Sequence, residues 1–256
     1  MGITQTYSGG SITFLANTFG NSKKNRETSG GFEYKRYKVT PRDEYWLDYW
    51  IKPDKNWIEG LGGKLMGLGG GMATTGGAPV TPAGWSLRMM WGDYRGLRGY
   101  RYDQDRNVKY GINDPLASTK KFKVNEWSRV TEHVKLNAPN KRDGKAHFWI
   151  NGNLELDLNN VKWRGNVDRS TAQINIVMLQ PFRGGGSDIW AVDKDTKLYF
   201  SDFYLCDEQP NLSTGTWNTP PTFGTDNKET LESVLAENGI IATFDDHFIK
   251  LKIPRI

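Results

Sequence analysis

The chain has 256 residues and a net charge of +5, and its 29 glycines, 11 prolines and 12% aromatic residues suit strands and turns rather than long amphipathic helices. One cysteine, Cys206, excludes an intrachain disulfide framework, and no run reaches the ~18 apolar residues of a membrane span. The positive excess admits an anionic partner of any class or plain solubility, and does not choose between them.

Taken in chain order, the first strong strand signal is Glu44 to Ile51, aromatic and β-branched and closed by Pro53-Asp54. Gly60 to Pro82 is dense in glycine and reads as a long loop beside a site. Residues 85 to 91 and 98 to 103 read as a hairpin, and 127 to 136 and 145 to 150 as further strands. Asn151-Gly152 then predicts a type I′ turn into Leu154 to Leu158, because both residues tolerate positive φ. Strands at 173 to 180 and 197 to 205 follow, the last leading into Cys206, which is expected to be a buried structural thiol. Asn211 to Thr225 resembles a linker, Lys228 to Asn238 has a helical pattern stopped by Gly239, and Ile240 to Ile253 predicts a last strand pair. The expected fold is all-β, a two-sheet antiparallel jelly roll (a concanavalin-like sandwich) with few short helices. It spans residues 1–206, and 207–256 forms an extension packed on the same domain. The N-terminus shows no basic segment followed by an apolar run, so the chain as given carries no signal peptide; the expected setting is extracellular, or release from a virion or by lysis.

Several familiar motifs fail on inspection. Around Gly63-Lys64 a phosphate loop would need glycine where Ile58 stands and Ser or Thr where Leu65 stands, and Gly67-Leu68-Gly69 meets Met72 where a dinucleotide fingerprint needs glycine. His133, His147 and His247 show no metal-ligand spacing, and Asp193-Lys194-Asp195 lacks the glycine and distal glutamate of a calcium loop. No metal or other cofactor is therefore expected. Asp103 and Asp105 could serve glycoside hydrolysis, although acids at this spacing are common on solvated strand faces.

The informative cluster is Trp85-Ser86-Leu87-Arg88-Met89-Met90-Trp91 followed, across a turn, by Tyr100-Arg101-Tyr102. Strand side chains alternate faces. A hairpin symmetric about Tyr94 sets Arg88 opposite Tyr100 and Ser86 opposite Tyr102, with all four side chains on one face. The alternative is an ordinary solvated strand face.

Together with Gly62-Gly63-Lys64-Leu65-Met66-Gly67-Leu68, Asn151-Gly152, and Phe182-Arg183-Gly184-Gly185-Gly186-Ser187-Asp188 with Trp190, this cluster resembles polysaccharide lyase family 14, which includes alginate lyases and has a glucuronan lyase family as a near relative. The resemblance covers roughly residues 40 to 206. Met66 departs from it, standing where relatives carry proline. It implies a lyase that cuts an anionic polysaccharide, alginate or glucuronan, by β-elimination, as a monomer without a nucleic-acid or membrane partner. It further implies that Lys64, Arg88, Tyr100 and Tyr102 are catalytic and that Ser86 orients substrate. Arg88 would grip the uronate carboxylate bidentately, and Lys64 would reach the site from the glycine-rich loop. Neighbouring cations would favour a phenolate on Tyr100 or Tyr102, with a neutral Lys64 as the other possible base. The string Gln173-Ile174-Asn175 lacks the histidine used by alginate lyases of another jelly-roll family, so histidine chemistry is not expected. The rival classes are a non-catalytic module binding acidic glycans and a nucleic-acid binder, the latter disfavoured by scattered basic residues.

Overall fold

The computed structural model describes residues 35–92, 95–184, 188–190, 192 and 196–212, with strand segments at 5–6, 12–16, 241–245 and 248–252. The predicted helix at 228–238, most of the predicted linker, Tyr94, residues 185–187 and 193–195, and His247 lie outside the described residues.

The strands are β1 (Gln5–Thr6), β2 (Ile12–Ala16), β3 (Lys35–Arg42), β4 (Glu44–Pro53), β5 (Gly63–Gly70), β6 (Trp85–Trp91), β7 (Arg98–Tyr102), β8 (Ile112–Pro115), β9 (Ser128–Lys135), β10 (Gly144–Ile150), β11 (Asn153–Val161), β12 (Ile174–Leu179), β13 (Phe182–Arg183), β14 (Thr196–Cys206), β15 (Ile241–Asp245) and β16 (Phe248–Lys252). Short 3-10 turns occur at Arg169–Ala172 and Asp188–Trp190. One sheet runs β1-β14-β4-β9-β10-β11, with β2 also on β14; the other runs β3-β12-β5-β6-β7-β8, with β13 also on β5. Every pairing is antiparallel, and consecutive strands such as β3 and β4 fall in different sheets, so the chain crosses repeatedly between the layers of a jelly-roll sandwich. The predicted last strand pair is present as β15 and β16. None of the described helices is long and apolar enough to cross a membrane.

Alternation builds the core. In β10, Ala146, Phe148 and Ile150 point inward, while Lys145, His147 and Trp149 between them are less buried. They meet Tyr49 and Ile51 of β4 and Leu87 and Met89 of β6 in one cluster between the sheets. The Asn151-Gly152 turn has φ of 52° and 80°, as the type I′ prediction requires. Cys206 is half-buried, and burial raises its thiol pKa to about 11, which fits a structural role.

One expectation is overturned. Gly60 to Pro82 is not a continuous loop, because β5 crosses the middle of its sheet between β12 and β6. Its glycines are strand residues that make room for large neighbours: a Cβ on Gly63 would stand 2.2 Å from the Trp91 ring, and one on Gly70 would stand 2.2 Å from Trp85 Nε1. Within the expected loop only residues 60–62 and the segment after Gly70 lie outside β5, and the latter is tied to the outer face of this sheet through Ser86 and Tyr102.

Candidate active site

The β6–β7 hairpin has the register expected from its sequence, with Ser86 opposite Tyr102 and Arg88 opposite Tyr100; Met90 lies opposite Arg98. Trp85, Leu87, Met89 and Trp91 enter the core, so the even-numbered residues of β6 face away from it. On that outer face Met90, Tyr100 and Tyr102 form a second, small apolar cluster. Asn113 of β8 pairs with Tyr100 and extends the face by one strand.

Lys64 joins this face from β5, not from a loop. Its ammonium nitrogen lies 4.7 Å from the centre of the Phe182 ring and 5.5 Å from that of Tyr100. Burial, then the charges of Arg88 and Arg98, lower its pKa from the ordinary lysine range to about 7.

Arg88 is 2% exposed. Its Nε and Nη2 both donate to the Leu65 carbonyl, at 3.0 and 2.9 Å, and Nη2 also donates to the Gln180 carbonyl. The Nε/Nη2 edge of the guanidinium, which a bidentate grip on a carboxylate would use, is thus committed to backbone. Ser86 is equally sealed, donating to the Thr74 carbonyl at 2.6 Å, so in this structure it holds the loop after β5.

Both phenols are held by loop backbone. Tyr100 Oη accepts the Gly111 N–H at 2.9 Å and Tyr102 Oη accepts the Gly77 N–H at 3.0 Å. The Arg106 guanidinium caps the Tyr102 ring at 4.7 Å. Contrary to the expectation from neighbouring cations, the Tyr100 pKa is raised, because burial and the adjacent Tyr102 hydroxyl outweigh Arg98. Tyr100 is a protonated phenol at neutral pH.

The fold adds residues that the motifs did not place in the site. Arg98, 4% exposed, donates through Nε to Asn113 Oδ1 at 2.8 Å and sits beside Lys64 and Tyr100; its pKa is lowered to about 10, which leaves it cationic. Period-two counting from Tyr100 would have placed it on the face. Phe182 belongs to the family-like string 182–188, and its place beside Lys64 comes from β13, which pairs with β5 there. Asp103 and Asp105 do not form a carboxylate pair, since Asp103 bonds Arg101 and Asp105 bonds Arg142. His133 and His147 are strand neighbours despite their separation in sequence, with their Nδ1 atoms 3.0 Å apart, but they lie on the other sheet. Among the described residues no group of three or more His, Cys, Asp or Glu side chains is placed to hold a metal ion.

The sequence matches the family model for Polysaccharide lyase 14 over residues 6–203. A variant of the alginate lyase Aly36B in complex with an alginate trisaccharide is 25% identical, with a TM-score of 0.65 over 78% of this chain and 81% of that one. The marine PL-14 alginate lyase from Aplysia kurodai is 23% identical (TM-score 0.63; 80% and 87% covered), and the alginate lyase vAL-1 from Chlorella virus is 19% identical (TM-score 0.60; 81% and 90% covered). Comparison with curated protein sequences gives no match.

Proposed function

The chain belongs to the polysaccharide lyase 14 family, and from that premise we propose that it cuts alginate-type polymers by β-elimination with Lys64 as base and Tyr100 as acid. It is a polysaccharide lyase acting on polyuronates. The base takes the proton from C5 of a uronate, the electron pair closes the C4–C5 double bond, and the C4–O4 bond breaks as O4 receives a proton. One new chain end is unsaturated and the other carries a free hydroxyl.

The observation that carries the assignment is the placement of the Lys64 ammonium 5.5 Å from the centre of the Tyr100 ring, in surroundings that push the two groups' pKa values in opposite directions. Lys64 is near half-neutral at pH 7 and can accept a proton, whereas Tyr100 keeps its own and can donate it. The C5 proton is acidic only if the neighbouring carboxylate is neutralised. Arg88 and Arg98 supply positive charge from beneath and beside the site, where low polarity strengthens it. The ring of Phe182 walls one side of Lys64 and helps to exclude water.

The test is incubation with alginate, glucuronan and a neutral glucan, following the ultraviolet absorbance of unsaturated ends. Absorbance should grow with the polyuronates only. With the base titrating near 7, kcat should rise through neutral pH to a plateau. Equal cleavage of the neutral glucan, or a Lys64→Ala variant as active as the parent, would overturn the reading.

A further inference from the structure

Lys64 should not face the site at all by simple alternation. Gly67 is opposite Arg88 and points to the outer face, where a Cβ would lie 2.7 Å from Arg88 Cγ. Counting back by twos from Gly67 would put Leu65 on that face and Lys64 in the core. Instead the pairing of β5 with β6 slips between Lys64 and Gly67, since Lys64 lies opposite Met90 and Gly67 opposite Arg88. Three residues of β5 are spanned by two of β6. Leu65 and Met66 both enter the core, and Lys64 turns outward. A β-bulge therefore decides the direction of this lysine.

Two side chains hold β5 from opposite sides, one within the bulge and one just beyond it. From the outer face, Arg88 holds the Leu65 carbonyl. From the core, Glu132 of β9, in the opposite sheet, accepts the Leu68 N–H on Oε1 at 3.1 Å. Glu132 is fully buried, and its Oε2 has no hydrogen-bond partner among the described residues. Burial raises its pKa well above the carboxylate range, so it sits there as a neutral acid. A polar group of this kind in an apolar core is costly and calls for a reason.

We propose that Glu132 is a positioning residue, which fixes the β5 bulge through Leu68 and so keeps Lys64 directed into the site. The inference rests on Lys64 being the base. Glu132→Leu removes the acceptor; Glu132→Gln retains a carbonyl oxygen for the Leu68 N–H. With the leucine variant, kcat on alginate should fall roughly tenfold to a hundredfold, the scale of a reacting group displaced by about 1 Å, with KM little changed. The acid limb of its pH profile should move away from 7, because Lys64 would leave its present surroundings. The glutamine variant should restore both kcat and the limb. A purely structural role would lower the melting temperature without moving the limb. If the leucine variant does not fold, Glu132→Asp, which withdraws the carboxyl by one methylene, is read in the same way. Folded leucine or aspartate variants with parental kcat and an unmoved limb would overturn the inference. Lys64→Ala is assayed alongside: if it stays active, the assignment of the base has failed; if it is inactive while the Glu132 variants behave as the parent, the positioning role has failed.

Discussion

The hydroxyl oxygens of Tyr100 and Tyr102 lie 3.4 Å apart, and each accepts an N–H from a different loop, Gly111 for Tyr100 and Gly77 for Tyr102. With one acceptor position filled on each oxygen by a backbone N–H, either phenolic proton can point along the pair. The two tyrosines are unequal in this arrangement. Tyr102 is 1% exposed, whereas Tyr100 is 7% exposed and shares its ring with Lys64.

Removal of the Tyr100 hydroxyl should therefore cost more than removal of the Tyr102 hydroxyl. Tyr100→Phe is expected to lower kcat by about a hundredfold to ten-thousandfold, the usual worth of a general acid. Tyr102→Phe should cost less, because its hydroxyl acts through Tyr100 and through the Gly77 loop. Steady-state rates on alginate, with melting curves to show that both variants fold, check the order. A larger loss for Tyr102→Phe would reverse the assignment.

The hairpin that carries these tyrosines was legible because two strands and a short turn fix their own register: Ser86, Arg88, Tyr100 and Tyr102 fall on one face by alternation alone. The strand that carries Lys64 was not legible. Gly63, Gly67 and Gly70 have low strand propensity, and their placement makes sense only once Trp91, Arg88 and Trp85 are seen lying across them. Alternation also hides a bulge, so the direction of Lys64 could not be counted from Gly67. The sign of the Tyr100 shift was misread for a related reason, since neighbouring charges are visible in a sequence and burial is not. Glu132 did leave a trace. It falls in phase with Val130 and Val134, on the core side of β9, where a carboxylic acid is out of place.

Lys64 should be a stability defect at low and neutral pH. Its folded pKa of about 7 lies below its ordinary value of 10.5, so the folded state disfavours the charged form. Below pH 7 the lysine is charged in both states and the penalty is complete. As pH rises from 7 to 10.5 the folded protein holds fewer protons than the unfolded chain and stability recovers. Lys64→Met keeps the volume and removes the charge. It should be inactive yet melt higher than the parent below pH 7, with the gain shrinking toward pH 10.5. Melting temperatures across that range test this, and a gain that grows with pH would contradict it.

The histidine pair on the other sheet gives an acid-side prediction. His133 is 4% exposed, stacks on Trp46 with ring centres 4.2 Å apart, and is hydrogen-bonded by Glu44 on one side and His147 on the other, each at 3.0 Å. Burial lowers its pKa from 6.5 to about 4; the Glu44 carboxylate opposes the shift, while His147 and Lys145 reinforce it. His147 is also lowered, first by burial, although Asn159 and Asp157 bond its far nitrogen. His133 therefore stays neutral in the folded protein down to about pH 4, and His147 takes up its proton at lower pH than it does in the unfolded chain, whose rings begin to protonate near 6.5. Between pH 6.5 and 4 the unfolded state binds more protons, so stability must fall as pH falls through this window. His133→Gln removes one of the titrating rings and should flatten the decline, even if it lowers stability at pH 7 through loss of the stack on Trp46. Chemical unfolding of parent and variant at several pH values between 4 and 7 compares the slopes. Parallel slopes would mean that His133 titrates alike in the folded and unfolded chain, which its burial between Trp46, Glu44 and His147 argues against.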